Sequence, residues 1–325
     1  SATDLAGRIS TFGDIVVFGT YATYIIMSLM MLVMILVLLP MAQVSAVRIN
    51  EVLDAPISLH EGKMTEAPEQ GTVEFRDVSF RYPSSSGDVL EHVSFRANKG
   101  ETIAFIGATG SGKTTLVSLA ARFYDATEGQ VLIDGQDVRS YSFDALYDRI
   151  GYVTQRAIVF AGDVRSNVLF GESGAPQDDE SVQRALSLAQ ATEFVDKLPG
   201  KRDAPIAQAG ANVSGGQKQR LSIARALARK PEILIFDDSF SALDYRTDAS
   251  LRAGLARELS DTTCLIVAQR IGTIRHADRI VVLDGRRIRY QGDTRACVAS
   301  GVLESVFHVR QHQAEDNGEK FIFFT

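Results

Sequence analysis

The chain has 325 residues, of which 45% are hydrophobic and 23% charged, a composition typical of globular proteins and not of disordered ones. Its length allows about two domains. The net charge of −6 gives no support for a nucleic-acid partner, and the two cysteines cannot build a disulfide framework and suit a reducing compartment. No basic segment precedes the first apolar run, so we expect no signal peptide; the first residue is not Met, which leaves open that the chain is a fragment.

Residues 15–47 contain no Asp, Glu, Lys or Arg and are apolar on every side. As a helix they would extend about 50 Å, which exceeds the hydrocarbon core of about 30 Å. They therefore predict a membrane-spanning helix that Pro40 kinks or ends; a buried core helix of a soluble protein is the alternative. Residues 1–54 are predicted as this helix and its cytoplasmic extension, and residues 55–70 as a linker. One span forms no transport pathway, so further helices have to come from missing sequence or partner chains.

A second domain is predicted to begin near Gly71, where strand-like and helical runs start to alternate. The predicted strands are Val73–Val78, Val89–Phe95, Thr102–Ile106, Val131–Ile133, Gly151–Val153, Ile233–Phe236, Leu265–Val267 and Ile280–Leu283. The predicted helices are Leu116–Arg122, Asp178–Leu198 and Gln217–Arg229. This alternation predicts an α/β nucleotide-binding core with an inserted helical portion over residues 71–310. Residues 311–325 are predicted as a tail.

A glycine-rich loop follows the third predicted strand and fits the G-x-x-x-x-G-K-[ST] phosphate-binding pattern. Glycines let backbone N–H groups close on phosphate oxygens, and the following helix turns its positive end toward the anion. Lys113 is predicted to reach the outer phosphates, and the Thr114 hydroxyl to bind Mg²⁺. An ordinary glycine-rich turn is the alternative. The residues predicted to bind the nucleotide here are Gly107, Ala108, Thr109, Gly110, Ser111, Gly112, Lys113, Thr114 and Thr115.

The apolar run Ile233–Phe236 ends in two acids, Asp237 and Asp238. A strand that ends in an acid places a carboxylate at the carboxyl edge of the sheet, beside the phosphate loop. Asp237 is predicted to hold Mg²⁺ directly or through water, and Asp238 to act as a general base toward the attacking water. The alternative is an acidic pair on the surface.

Two further segments flank the acidic strand: Asn212-Val213-Ser214-Gly215-Gly216-Gln217-Lys218-Gln219-Arg220 before it and Ser241-Ala242-Leu243-Asp244 after it. With the phosphate loop, and in this order, they resemble the signature sequence and neighbouring motifs of ATP-binding cassette (ABC) transporters. The resemblance covers about residues 15–310, and residues 15–54 resemble the last transmembrane helix of an exporter half-transporter. It implies an α/β P-loop NTPase fold of ABC type, with a RecA-like core, an antiparallel β subdomain and an inserted helical subdomain, preceded by one transmembrane helix.

The resemblance also implies roles for single residues. Tyr82 would stack on adenine, which needs a flat π face. Gln155 would touch Mg²⁺ and the γ-phosphate side, and would link the ATP site to the membrane domain. The signature residues Ser214, Gly215, Gly216 and Gln217 would contact the ATP of the opposite subunit, and Asp244 would lie at that interface. The implied mechanism needs two such domains, arranged head to tail, with two ATP molecules between them.

Two positions depart from the family's pattern. The usual base is Glu, whereas Asp238 is one methylene shorter, and a shift of about 1 Å in a positioned group can cost on the order of 100-fold in rate. The family's switch histidine is replaced by Gln269, which can hydrogen-bond a phosphate but cannot carry a proton near neutral pH. Together they predict the degenerate half of an exporter heterodimer, whose intact signature completes the partner's site. A homodimer in which Asp238 is a weak base at two equal sites stays open.

The resemblance therefore implies an ATP-hydrolysing exporter subunit in the cell membrane, with its ATP-binding domain in the cytoplasm. ATP and Mg²⁺ are the predicted cofactors, and a second half-transporter, membrane lipids and the transported substrate are the predicted partners. The predicted catalytic residues are Lys113, Gln155, Asp238 and Gln269, and the predicted metal ligands are Thr114, Gln155 and Asp237. A soluble ABC ATPase that acts on DNA or ribosomes and a regulatory subunit of a channel-like complex are the alternatives. The cargo, whether drug, lipid or peptide, stays open.

Overall fold

The computed structural model describes residues 2–171, 176–268, 277–302, 311–316 and 319–324. The chain divides into two compact units, Ser1–Ser58 and Leu59–Thr325. The boundary falls inside the segment predicted as a linker. Gln269, with its predicted role as the switch residue, lies outside the described residues.

The first unit is one long helix, α1, at Ala2–Leu53. It continues through Pro40, so the proline does not end it. The segment Ile9–Leu53 has a mean hydropathy of 2.8, and none of its most apolar window is buried within the chain. A helix this long and this apolar is a candidate membrane span by its length and composition.

The second unit contains all the strands and the shorter helices. Its strands are β1 (Val73–Phe80), β2 (Leu90–Ala97), β3 (Thr102–Gly107), β4 (Glu128–Ile133), β5 (Gln136–Asp137), β6 (Ile150–Val153), β7 (Gly162–Asp163), β8 (Pro205–Ile206), β9 (Ile233–Asp237), β10 (Thr263–Val267), β11 (Arg279–Asp284), β12 (Arg287–Gly292), β13 (Gln311–Asp316) and β14 (Glu319–Phe324). Its helices are α2 (Lys113–Ala120), α3 (Phe143–Arg149), α4 (Val164–Val168), α5 (Asp179–Leu188), α6 (Thr192–Asp196), α7 (Gly215–Ala228), α8 (Tyr245–Glu258) and α9 (Thr294–Ala299).

The central sheet has the strand order β12-β11-β3-β10-β9-β6. All of its pairs are parallel except β11 with β12. Every residue of β9 and β10 is buried, which explains why these strands have continuous apolar sequences. The order brings the carboxyl ends of β3, β9 and β6 to one edge, and this edge carries the phosphate loop. The predicted α/β core is confirmed.

A second, antiparallel sheet has the order β2-β1-β4-β5. The rings of Phe75 and Phe95 stack across β1 and β2, with 4.7 Å between their centroids. This sheet and β3 share one hydrophobic cluster, which also contains Leu116 of α2. The antiparallel subdomain implied by the family resemblance is thereby confirmed, and it packs beside the helix that follows the phosphate loop.

The inserted helical portion contains α4 to α7, and here the predicted helix Asp178–Leu198 is wrong. The structure has two helices, α5 and α6, because Gln190 adopts a left-handed backbone conformation with φ of 54°. The Gln190 carbonyl accepts a hydrogen bond from Arg220 at 2.8 Å. Apolar spacing alone does not detect this break, since the residues on both sides face the same core.

Residues 59–65, here called the entry segment, begin the second unit and pack on the rest of it. The Gly62 N–H donates to the Tyr141 carbonyl at 2.9 Å. The Arg122 side chain is 1% exposed and donates to the His60 carbonyl at 2.7 Å. These contacts place the beginning of the second unit directly beside the residues that follow α2.

The tail residues form an antiparallel hairpin of β13 and β14, in which Asp316 pairs with Glu319. The sequence predicts only a tail over residues 311–325 and does not predict these strands.

A pair of carboxyl groups lies between the end of β4 and the start of β9: Asp134 is buried and Glu232 is half-buried. Asp134 has no exposed surface, accepts a hydrogen bond from the Thr72 N–H at 2.9 Å and interacts with Glu232. Burial, together with the Glu232 carboxyl group, raises the pKa of Asp134 to about 6, and Arg149 acts in the opposite direction. The folded state therefore binds this proton more tightly than the unfolded state does. Its stabilising contribution is fully present below the ordinary carboxyl pKa and is lost as the pH rises through about 6.

We expect the Asp134→Asn substitution to destabilise the protein more at pH 4 than at pH 7, by about 2 kcal/mol. Urea unfolding of both chains across this pH range measures the difference. Asp137→Asn is the matched control, because the pKa of Asp137 is lowered through its bonds with Arg139 despite partial burial. Its effect should stay constant between pH 5 and pH 7. A pH-independent effect of Asp134→Asn would contradict the assignment.

Candidate active site

The phosphate loop connects β3 to α2. Ala108, Thr109 and Gly110 are exposed at its tip, while Gly107 and Gly112 are buried at its ends. Helix α2 begins after Gly112 without a side chain that caps its N-terminus. Its first backbone N–H groups and the positive end of its dipole are therefore left for an anion, as predicted from the sequence.

Gly107 is required by a close approach of two backbone segments. A methyl group at this position would overlap the Leu283 carbonyl oxygen and lie 2.7 Å from the Ser111 hydroxyl. Gly110 also has a positive φ, of 82°, but a methyl group there would meet no atom within 4 Å. Of these two glycines, Gly107 is therefore fixed by packing as well as by backbone conformation, and Gly110 by backbone conformation alone.

We expect Gly107→Ala to destabilise the nucleotide-free protein by about 2 kcal/mol more than Gly110→Ala does. Both substitutions place alanine at a positive φ, so the second one serves as the control for backbone strain. Thermal unfolding without nucleotide provides the measurement. Equal losses of stability would show that the approach to Leu283 is not what requires glycine.

Lys113 folds back over the loop. Its ammonium group donates to the carbonyl oxygens of Gly107 and Ala108, at 2.8 Å each. Burial lowers the pKa of Lys113, and the carboxylates of Asp238 and Asp237 act in the opposite direction. The ammonium group is thus held at the loop in a place where a phosphate could replace its carbonyl partners.

Asp237 lies at the end of β9, beside the first turn of α2. Its Oδ1 accepts a hydrogen bond from the Thr114 hydroxyl at 2.9 Å, and its Oδ2 accepts one from the Tyr152 hydroxyl at 3.2 Å. Burial raises the pKa of Asp237, and these two hydroxyl groups act against that shift. Burial also raises the pKa of Tyr152, so the phenol stays protonated and donates.

The donor set fits Mg²⁺. Carboxylate and hydroxyl oxygens are the ligands that Mg²⁺ accepts, and adjacent ligands in its octahedral shell lie about 3 Å apart. Thr114 Oγ1 and Asp237 Oδ1 have a separation of 2.9 Å, which matches that spacing. The fold therefore brings together two of the three predicted metal ligands, Thr114 and Asp237.

Asp238, the predicted base, is 7% exposed and has a left-handed backbone with φ of 48°. Its N–H donates to the Val267 carbonyl at 3.1 Å, which fixes the turn after β9. Its Oδ2 accepts a hydrogen bond from the Gln155 amide at 3.1 Å. The structure thus brings Gln155 to the base rather than to Asp237.

Tyr82 lies beside α2. Its hydroxyl group is 3.0 Å from the Thr115 hydroxyl, and its ring makes edge contacts with Phe80 and Tyr124. The ring is half-buried. Its stacking on adenine stays a prediction, and the structure places it next to the helix that would hold the phosphates.

The signature residues form the N-terminus of α7. The Ser214 hydroxyl accepts a hydrogen bond from the Gln217 N–H at 3.3 Å, and the Gln217 side chain accepts one from the Ser214 N–H at 2.8 Å. This reciprocal pair is a capping box, so the serine has a structural role of its own. Ser214 and Gly215 are exposed, and Gly215 has no atom within 4 Å of the place that a methyl group would occupy.

The loop at residues 241–244 borders the signature. The Ala242 carbonyl lies 3.4 Å from the place of a Gly216 methyl group. Asp244 is exposed and caps α8 by accepting a hydrogen bond from the Thr247 N–H at 3.0 Å, and the backbone and side chain of Thr247 lower its pKa. The signature and Asp244 thus share one exposed surface, as a dimer interface would require.

Tyr152 is the residue that sequence reasoning missed. It lies in the predicted strand Gly151–Val153, and its sequence context predicts no role for it. Its phenol contacts the carboxylate of Asp237, the predicted metal ligand, because β6 lies next to β9. The only signal in the sequence is a hydroxyl-bearing residue in a strand of otherwise apolar character, which is too weak to assign a role.

Comparisons with known proteins agree with this geometry. The family model described as "ABC transporter" matches residues 90–241. The chain is 39% identical over 307 residues to an ATP-dependent lipid A-core flippase of Xanthomonas oryzae pv. oryzae. This alignment covers 94% of this chain and 52% of the flippase. It is also 42% identical over 284 residues to an uncharacterized ABC transporter ATP-binding protein of Mycobacterium tuberculosis. This second alignment covers 85% of this chain and 48% of the relative.

A solved structure, that of a bacterial Atm1-family ABC exporter with ATP bound, superimposes with a TM-score of 0.73 at 30% identity. The match covers 83% of this chain and 47% of the exporter chain. The chain therefore spans about half the length of the relatives it matches. Helix α1 is a candidate membrane span, which agrees with a membrane-embedded exporter family; in such exporters the ATP-binding domain is cytoplasmic. The phosphate loop, the acidic strand, the signature and these matches together show that the chain belongs to the ABC transporter family and carries its ATP-binding domain.

Proposed function

We propose that the chain is the ATP-binding subunit of an ABC exporter, which couples ATP binding and hydrolysis to export of a substrate. The observation that carries this proposal is the contact between the Thr114 hydroxyl and the Asp237 carboxylate, at 2.9 Å, beside the loop that Lys113 occupies. The apolar helix α1 supports a membrane protein over a soluble ABC ATPase.

Each residue has a distinct role in the proposed reaction. The loop N–H groups and Lys113 bind the phosphates of ATP, and Thr114 and Asp237 hold Mg²⁺. Mg²⁺ supplies positive charge that offsets the charge of the leaving phosphates. Asp238 accepts the proton of the attacking water, and Gln155 orients that carboxylate through its amide.

The proposed site is completed by a second subunit. The exposed N-terminus of α7 and the loop at residues 241–244 form one surface within the chain, and this surface would face the ATP of the partner. A helix N-terminus suits the γ-phosphate because its N–H groups and dipole favour an anion.

We further propose that the chain's own site hydrolyses ATP slowly and that its partner is a different half-transporter with Glu and His at the two departing positions. The shorter carboxylate of Asp238 supports this, because it is already bound to Gln155 at 3.1 Å and has one methylene less with which to reach a water molecule. The Xanthomonas relatives are named lipid A-core flippases, which makes an amphiphilic lipid the first cargo to test.

The decisive experiment measures binding of a fluorescent ATP analogue and ATP hydrolysis by the 325-residue chain in detergent, alone and mixed with a half-transporter that has Glu and His. We expect binding by the chain alone, near-zero hydrolysis, and a rise in hydrolysis on mixing. Fast hydrolysis by the chain alone would favour a homodimer instead. Failure to bind ATP would contradict the proposal as a whole. Lipid flux in vesicles that contain the assembled complex separates an exporter from a regulatory subunit.

A further inference from the structure

The carboxylate of Asp237 is held at both oxygens. Thr114 donates to Oδ1 at 2.9 Å, and Tyr152 donates to Oδ2 at 3.2 Å. The two donors come from different elements: Thr114 from α2, which follows the phosphate loop, and Tyr152 from β6 at the edge of the sheet. The function proposed above uses Thr114 as a metal ligand and leaves Tyr152 without a role.

We propose that Tyr152 is a positioning residue for Mg²⁺, whose hydroxyl group fixes the rotation of the Asp237 carboxylate so that the oxygen beside Thr114 faces the metal. This inference rests on the proposed function, because it assumes that Thr114 and Asp237 hold Mg²⁺. It assigns the residue to the metal rather than to the nucleotide or to packing of the core.

The first argument is rotational freedom. The terminal torsion of an aspartate side chain is soft and broad, so a carboxylate keeps one orientation only when its oxygens are bound. When the Thr114 hydroxyl turns from the carboxylate to a metal, its bond to Oδ1 is given up. Of the two hydroxyl donors, Tyr152 alone then keeps its bond, and a hydrogen bond to a charged acceptor is among the stronger ones.

The second argument is the rigidity of the phenol. Strand β6 pairs in parallel with β9, with Tyr152 opposite Ile235 and Val153 opposite Phe236. The backbone of Tyr152 is therefore fixed in the strand next to the one that ends in Asp237. The ring packs against Phe123, with 5.0 Å between the centroids. A hydroxyl on a ring held in this way can impose an orientation on its acceptor, whereas a mobile side chain would follow it.

The third argument is the arrangement along β6 and the loop that follows it. Tyr152 binds Asp237, and Gln155 binds the next acid, Asp238, at 3.1 Å. One short segment therefore orients both acids, the one assigned to the metal and the one assigned to the water. The hydroxyl acts on metal binding and the amide on the base, so substitutions at the two positions should affect different measured quantities.

The test uses the 325-residue chain in detergent, a fluorescent ATP analogue and a titration of Mg²⁺. For Tyr152→Phe we expect analogue binding in EDTA to stay within twofold of the unsubstituted chain. We expect the Mg²⁺ concentration that gives half of the metal-dependent rise in affinity to increase about tenfold, as the loss of a bond to a charged group predicts. A role in packing alone would lower the thermal unfolding temperature without this shift.

Two control variants separate the explanations. Tyr141→Phe removes another buried phenol hydroxyl, which donates to the Ile133 carbonyl at 2.9 Å, and should leave the Mg²⁺ titration unchanged. Phe123→Leu loosens the packing of the Tyr152 ring but keeps its hydroxyl, and should shift the titration by clearly less than Tyr152→Phe does. An unchanged titration for Tyr152→Phe, or an equal shift for Phe123→Leu, overturns the inference. If the unsubstituted chain binds no analogue, the proposed function fails first, and the inference fails with it.

Discussion

The double substitution Asp238→Glu and Gln269→His is expected to raise ATP hydrolysis by the chain's own site about 100-fold. Asp238 is buried at a turn that its N–H fixes on Val267, so its backbone cannot move toward the nucleotide to make up for a short side chain. One more methylene extends the carboxylate by about 1 Å, the scale at which a positioned base gains or loses two orders of magnitude. The histidine adds a side chain that can carry a proton near neutral pH.

The measurement is steady-state hydrolysis by the purified assembly that contains the substituted chain, with both single variants beside the double one. Asp238→Asn is the matched control for the carboxylate. It keeps the size of the side chain and an oxygen that can accept the hydrogen bond from Gln155, and it removes the base. It should reduce the remaining hydrolysis to background. No gain from the double variant, at unchanged thermal stability, would show that the two departures do not limit this site.

The second large effect is expected at the signature. Gly215→Asp should leave ATP binding by the same chain unchanged and reduce hydrolysis at the partner's site by at least about 100-fold. Gly215 is exposed, and an added side chain meets nothing within 4 Å, so the fold should tolerate the change. An acid in the first turn even suits the helix dipole. Its charge would, however, repel the phosphates that the proposed signature surface contacts. Ser214 is a poorer choice for this test because its hydroxyl caps α7.

Complementation between two copies makes this prediction testable in trans. A chain with Asp238→Glu, Gln269→His and Gly215→Asp has a restored site and a blocked signature, and should be nearly inactive alone. Mixing it with the unsubstituted chain, which has an intact signature, should restore hydrolysis, and mixing it with Gly215→Asp should not. Gly254→Asp, which adds the same charge at another open position in α8, should complement normally. Hydrolysis by the blocked chain alone would place the signature's action within one subunit.

The strands of the core were predictable because each is a short apolar run bounded by turn residues. The buried strand β9 and the acid that ends it could be read directly, and so could the loop before Lys113. These features depend on neighbours in the sequence. The contact of Tyr152 with Asp237 depends on the order of strands in the sheet, and nothing in either strand's sequence states that β6 lies next to β9.

Other features were hidden for a different reason. The break at Gln190 occurs in a residue that carries no turn signal, and its left-handed backbone is supported by Arg220, thirty positions away. The entry segment looked like a linker because its composition is polar and it contains Gly62. Its fixed position comes from hydrogen bonds with Tyr141 and Arg122, which lie far along the chain. The composition of a segment does not show whether it is fixed in place, because that depends on hydrogen bonds with residues elsewhere in the chain.

The entry segment is connected to the phosphate loop through Arg122 and α2. Arg122 follows α2 by two residues and holds the His60 carbonyl with a buried guanidinium group. Helix α2 is about 12 Å long, and Lys113 stands at its other end. A displacement of the chain at His60 would therefore act, through Arg122, on the end of the helix opposite Lys113, the predicted phosphate-binding lysine. The Arg122 side chain would thus couple the position of the entry segment to the position of the phosphate loop.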